Sequence, residues 1–185
     1  LLLKGDDGIP KDVITAIRWL TAAAKQENGY AEYALALVYL TGEDAPKDSV
    51  KALSLLKRSA GRGNQFAQYR LGKLLLQGED APKDVKAAIR WLTAAAEQGN
   101  QYAQYALGKL YLLGKEVPKD RSSATKWFQL AADQGNDYAQ YFLKHMDDRL
   151  GQPPVAAVIS LFHHLANIFQ EQNQPQPSGG VRLAV

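Results

Sequence analysis

Pro-Lys-Asp returns at Pro10, Pro46, Pro82 and Pro118, each 36 residues after the last. The same step carries Asn28 to Asn64, Asn100 and Asn136, Tyr33 to Tyr69, Tyr105 and Tyr141, and Leu35 to Leu71, Leu107 and Leu143. A period in the thirties leaves few folds open. One unit of that length cannot bury its own apolar face, so the units must stack and cover one another in a solenoid.

Each unit reads as two helices. Asp12, Asp48, Asp84 and Asp120 stand where a carboxylate can accept a hydrogen bond from a free first-turn N–H, and the proline two residues earlier stiffens the entry. These residues open the helices termed B, which end at Gly63, Gly99 and Gly135 in the later copies. The first copy carries Glu27 at that position, so a different turn is expected there. Asn28, Asn64, Asn100 and Asn136 cap the second helices, termed A, which stop at Gly42, Gly78 and Gly114. In the third copy, helical spacing places Ala88, Leu92, Ala95 and Ala96 on the core side of B, flanked by Ile89 and Trp91. On A the core side is Ala103, Leu107, Leu110 and Tyr111, with Gly108 allowing close approach of a neighbouring helix. Trp19, Trp91 and Trp127 share one register, filled by Leu55 in the second copy, and read as core. The fold class that follows is all-α: a right-handed α/α superhelix of 36-residue helix-turn-helix units, closed by a C-terminal capping helix.

Leu1-Leu2-Leu3-Lys4-Gly5 is similar to the helix end Leu74-Leu75-Leu76-Gln77-Gly78, so the chain is expected to begin inside a repeat of a longer protein. After Leu143 the repeat pattern fails, which assigns 1–149 to the solenoid. Residues 150–170 read as a linker and an amphipathic helix, with Val155, Ile159, Phe162 and Phe169 on its apolar face; a terminal cap is its expected role, with docking of an outside helix or a second copy as the alternative. The Gln/Pro/Gly-rich stretch 171–185 is expected to be disordered.

Composition narrows the chemistry. The 185 residues contain no cysteine, which removes disulfides, thiol catalysis and thiolate metal sites. Lys+Arg number 22 against 19 Asp+Glu, and a net charge of +3 does not by itself predict nucleic-acid binding. No apolar run approaches the ~20 residues of a membrane-spanning helix. His163 and His164 are adjacent and point about 100° apart on a helix, which does not suit chelation of one ion. The acidic turns at Glu43-Asp44 and Glu79-Asp80 lack the alternating ligand spacing of a calcium loop. With no nucleophile–base motif and no phosphate-binding loop, the expectation is a non-catalytic chain that uses no cofactor, metal or small-molecule substrate, in a cytoplasmic setting.

What remains is a second stripe on helix A, opposite the core. It carries Tyr30 and Tyr33 (with Leu37) in the first copy, then Phe66, Tyr69 and Lys73, then Tyr102, Tyr105 and Lys109, then Tyr138, Tyr141 and His145. Either successive rings pack on one another between neighbouring A helices, or they bind a ligand. The candidate ligands are an extended peptide and single-stranded bases stacked beside cationic side chains.

The pattern Ala-Gln-Tyr-x-Leu-Gly-Lys-Leu-Tyr, then Pro-Lys-Asp, then Trp and Ala-Ala-x-Gln-Gly-Asn resembles the Sel-one-like repeat, a relative of the tetratricopeptide repeat. The resemblance covers residues 1–149 and implies an adaptor or scaffold whose A helices line a concave, ligand-contacting surface. The Gly-Asn-x-Tyr-Ala-Gln-Tyr units, followed by Leu161-Phe162-His163-His164-Leu165 and a Pro/Gln spacer, are also similar to the C-terminal region of mobilisation relaxases of Gram-positive bacteria. That second resemblance implies a role beside an upstream nicking domain and matches no catalytic residue here.

Overall fold

The structure is a computed structural model and describes residues 12–146. Over that span it contains eight helices and no strand: α1 Val13–Lys25, α2 Gly29–Thr41, α3 Ser49–Gly61, α4 Gln65–Gln77, α5 Val85–Glu97, α6 Gln101–Leu113, α7 Arg121–Ala132 and α8 Asp137–His145. Odd-numbered helices are B and even-numbered helices are A. The compact unit that holds the repeats runs to Leu143. The expected linker, capping helix and tail at 150–185, and the solenoid boundary at 149, lie outside the described residues.

Every helix start follows the sequence. Asp12, Asp48, Asp84 and Asp120 accept from Thr15, Lys51, Ala87 and Ser123 N–H at 2.9–3.1 Å. The asparagines serve two helices at once. Asn64 N–H closes the B helix by donating to Ser59 O at 3.2 Å, while Asn64 Oδ1 accepts from Phe66 and Ala67 N–H at 3.0 Å to open the next A helix. This is a Schellman closure, with Gly63 N–H donating to Ala60 O and Gly63 at φ 87°. Asn28, Asn100 and Asn136 repeat the same closing bond. The first copy does not turn differently: Glu27 takes φ 65°, the left-handed conformation that glycine holds in the other copies. Its carboxylate is fixed by Arg62 at 3.0 Å.

α2, α4 and α6 each pack most extensively on the B helix that follows, and more lightly on the one before. Ala88, Leu92, Ala95, Ala96, Ala103, Leu107 and Leu110 are all buried, and Tyr111 is partly so. Gly72 and Gly108 admit the facing helix. A methyl on Gly72 would sit 2.7 Å from Leu92 Cγ, and one on Gly108 2.6 Å from Phe128 Cδ1. Trp91 and Trp127 are partly buried against the apolar clusters. Trp19 departs from the core expectation, at 62% exposed.

A polar seam runs through the stack. Gln68 and Gln104 are buried; their Nε2 atoms donate to Ala60 O and Ala96 O at 3.1 and 3.0 Å. Each also accepts from the B helix that follows, Gln98 to Gln68 and Gln134 to Gln104, both at 2.7 Å. In the first copy both partners change together. Glu32, fully buried, stands where the others have Gln, and Arg62 stands where they have Gln98 and Gln134. Arg62 Nε lies 3.4 Å from Glu32 Oε2, and Arg58 Nη2 lies 2.6 Å from Oε1.

Candidate partner-binding face

On α4, 100° per residue sets Phe66, Arg70, Lys73 and Gln77 along one line, with Tyr69 at its edge and the buried Ala67, Leu71, Leu74 and Leu75 on the other side. On α6 the same line carries Tyr102, Ala106, Lys109 and Leu113. The predicted stripe is therefore a helix face, and neighbouring faces meet ring to ring. Tyr33 contacts Phe66 with centroids 6.2 Å apart, Tyr69 contacts Tyr102 at 6.0 Å, and Tyr105 contacts Tyr138 at 5.6 Å. The second ring of one repeat thus leans on the first ring of the next. Such tilted pairs contribute about 0.5–1.5 kcal/mol each beyond the area they bury.

The two ring positions differ in what they leave open. The first-position rings are exposed: Tyr30 at 69%, Phe66 at 42% and Tyr102 at 52%. Tyr33, Tyr69, Tyr105 and Tyr141 are partly buried, as is Tyr138 at the first position of the last repeat. Tyr30 lines a shallow depression with Glu27, Arg62 and Asn64. Tyr105 is the most enclosed, touching Phe128 and Phe142 as well as Tyr138. Tyr141 meets Phe142 edge-on at 5.9 Å. His145 is the last residue of α8, the helix that also carries Tyr138 and Tyr141. Lys73 lies 5.8 Å from the Tyr69 ring centroid, and Lys73 and Lys109 are both partly buried. Arg70, which recurrence along the sequence does not pick out, belongs to the same line.

Enclosure changes the titration of the rings. Burial, and then the neighbouring Tyr138 and Tyr69, pushes Tyr105 up to about 12 from an ordinary 10.0. Burial also raises Tyr33 and Tyr69, against the opposing charge of Arg70. For a group whose pKa is raised by folding, the stabilisation is complete below the unfolded value and is lost as pH rises through the folded one. The protein is therefore expected to lose stability between pH 10 and about 12 as unfolded tyrosines ionise and Tyr105 resists. Tyrosinate absorbance followed with circular dichroism checks this. The Tyr105→Phe variant should lack the last ionisation step, and an unchanged profile would contradict the assignment.

Among the described residues there is no group of three or more His, Asp or Glu placed to hold a metal ion, and no helix long and apolar enough to cross a membrane.

Comparison with known proteins fits this geometry. The Sel1 repeat pattern matches residues 1–28, 29–64, 65–100 and 101–136. A protective antigen of uropathogenic Escherichia coli strains that displays an SLR fold superposes with a TM-score of 0.70 at 34% identity, over 75% of this chain and 29% of its own. The chain thus spans less than a third of that protein. A Sel1 repeat protein from Oxalobacter formigenes gives a TM-score of 0.64 at 33% identity, over 69% of this chain and 96% of its own. Cysteine rich protein B of Helicobacter pylori shares the fold, with a TM-score of 0.57 at 22% identity, over 72% of this chain and 96% of its own. No curated protein matches the chain. The resemblance to a relaxase C-terminal region finds no support in these relatives. Four consecutive matched units and one-third identity to solved repeat proteins place the chain in the Sel1 repeat family, whose members are non-catalytic scaffolds that generally mediate protein–protein interactions.

Proposed function

We propose that the A-helix face is where this chain takes hold of a protein partner, as an extended segment laid across successive repeats. One observation carries the reading. Large aromatic rings at the equivalent positions Tyr30, Phe66 and Tyr102 stay 69, 42 and 52% exposed on a fold that buries most of its other apolar side chains. Each ring offers an apolar face, and the tyrosines add a hydroxyl for the peptide backbone. Recurrence from repeat to repeat lets one strand of peptide meet several anchors in turn. The narrower reading, single-stranded DNA assisting a nicking domain, is less favoured. Stacking needs free ring faces, and the second-position rings already lean on their neighbours.

Panning a random peptide library with the 185-residue chain, beside a Phe66→Ala/Tyr102→Ala variant, tests this. Loss of two anchors should weaken selected peptides by about a hundredfold while the helical signal stays unchanged. Peptides that bind both proteins equally would remove the face from consideration.

A further inference from the structure

Arg70, Lys73 and Lys109 are the three Lys or Arg side chains among the described residues that are partly buried; the others are exposed, and several of those are ion-paired. Lys47 pairs with Asp80, Lys83 with Glu116, Arg62 with Glu27 and Glu32, and Arg58 with Glu32. Arg70, Lys73 and Lys109 do not: among the described residues none of the three has an ion pair or hydrogen bond. They are not fully hydrated surface charges either. All three are partly buried, and Arg70 Nε is shut off from solvent with no hydrogen-bond acceptor.

Their placement is specific. Arg70 and Lys73 lie one helical turn apart on α4, and Lys109 occupies the position of Lys73 one repeat further on. The charge of Arg70 is felt at the hydroxyls of Tyr33 and Tyr69 on either side of it. Asp80 also feels Arg70 but makes no ion pair with it; its Oδ1 pairs with Lys47 at 2.9 Å and accepts from Ser49 Oγ at 2.7 Å. Burial, with the like charges of Arg70 and then Lys109, holds Lys73 below the ordinary lysine range. Three cations are thus kept close together and partly desolvated, with no described acid in an ion pair with any of them. Burying unpaired charge costs free energy that an incoming anion returns.

We infer that Arg70, Lys73 and Lys109 form a carboxylate-accepting site, and that the segment docking on the A-helix face is acidic, with Asp or Glu flanked by apolar residues. The inference rests on the docking reading above and names its partner's chemistry. Arg70 supplies a planar fork that suits a carboxylate, and the two lysines supply compact charges one repeat apart. Packed helices lie about 8–10 Å apart and an extended peptide advances about 3.3 Å per residue, so acids about three residues apart match successive repeats. Phe66 and Tyr102 lie on the same lines as the cations and receive the apolar residues between the acids. A polyphosphate backbone fits less well, since three cations form a short patch rather than a track along the whole face.

The test is fluorescence-anisotropy titration of the full chain with three labelled probes: an Asp/Glu-aromatic peptide, its Asn/Gln counterpart, and a single-stranded oligonucleotide. Each is read at two salt concentrations, with wild type and an Arg70→Gln/Lys73→Gln/Lys109→Gln variant. The acidic peptide should bind about tenfold or more tightly than its amide counterpart at low salt, and the variant should lose that difference while keeping its weaker hold on the amide peptide. Equal binding of the two peptides, unaffected by the variant, would overturn the acidic preference and leave the docking face standing. No binding of either peptide by folded wild type would overturn both. Tighter, salt-sensitive binding of the oligonucleotide would replace the peptide with a nucleic acid.

Discussion

Replacing Arg58 and Arg62 together by methionine is expected to destabilise the fold by about 3–5 kcal/mol, among the largest effects of any change outside the apolar core. Glu32 is fully buried, and these two guanidinium groups, at 2.6 and 3.4 Å, are the cations that balance it. The reverse experiment is more informative. Glu32→Gln/Arg62→Gln rebuilds in the first copy the pairs that the other copies use, Gln98 to Gln68 and Gln134 to Gln104 at 2.7 Å. It should fall within about 1 kcal/mol of wild type, because a neutral hydrogen-bonded pair avoids the cost of taking two charges out of water. Glu32→Gln alone should sit between the two, since Arg58 and Arg62 remain 49 and 34% exposed and can be hydrated. Urea unfolding of these variants, together with Arg62→Gln alone, supplies the cycle. If the paired Gln variant proves as damaging as loss of the arginines, the equivalence of the two seams is wrong.

The second large effect concerns Gly108. A methyl there would lie 2.6 and 2.7 Å from Phe128 Cδ1 and Cε1, inside any normal contact. The Phe128 ring is fully buried and stacked on Phe142 at 5.2 Å and 5°, so it cannot swing aside. Gly108→Ala should therefore cost about 1–3 kcal/mol despite the better helix propensity of alanine. Phe128→Ala, which empties the space instead, should cost about 3–5 kcal/mol. Combined, the two should cost clearly less than their sum, because the new methyl enters the vacated volume. Gly61→Ala is the control: it lies at the end of α3, where an added methyl would meet nothing within 4 Å, and should be neutral or mildly stabilising. Thermal unfolding reads all four variants.

Helix ends and the apolar core could be read from the sequence because their causes are local. A proline, a capping Asp or Asn and a closing Gly act within a few residues, and the Ala and Leu positions repeat at helical spacing. Long-range polar pairing could not. Gln68 and Gln104 look like surface residues on a helix, and their partners lie 30 positions downstream. The one signal was the joint exchange of Gln for Glu32 and Gln for Arg62 in one copy. On the aromatic stripe, helical spacing found the right residues but not their pairing. Ring contacts run from Tyr33 to Phe66 and from Tyr69 to Tyr102, between unlike positions of successive repeats. Arg70 escaped for a related reason: its equivalents are Ala34, Ala106 and Phe142, so a reading built on recurrence passed over it. Glu27 misled because a non-glycine in the left-handed region is uncommon, and its tie to Arg62 becomes visible only once α3 is in place.

The most direct measurement is backbone amide NMR of the full 185-residue chain titrated with a peptide selected by panning. Shifts concentrated at Phe66, Tyr69, Arg70, Tyr102 and Tyr105 are the predicted result, with outward B-helix positions such as Val50 and Lys86 unmoved. Shifts concentrated on the B helices, with the A-helix face silent, would contradict the account.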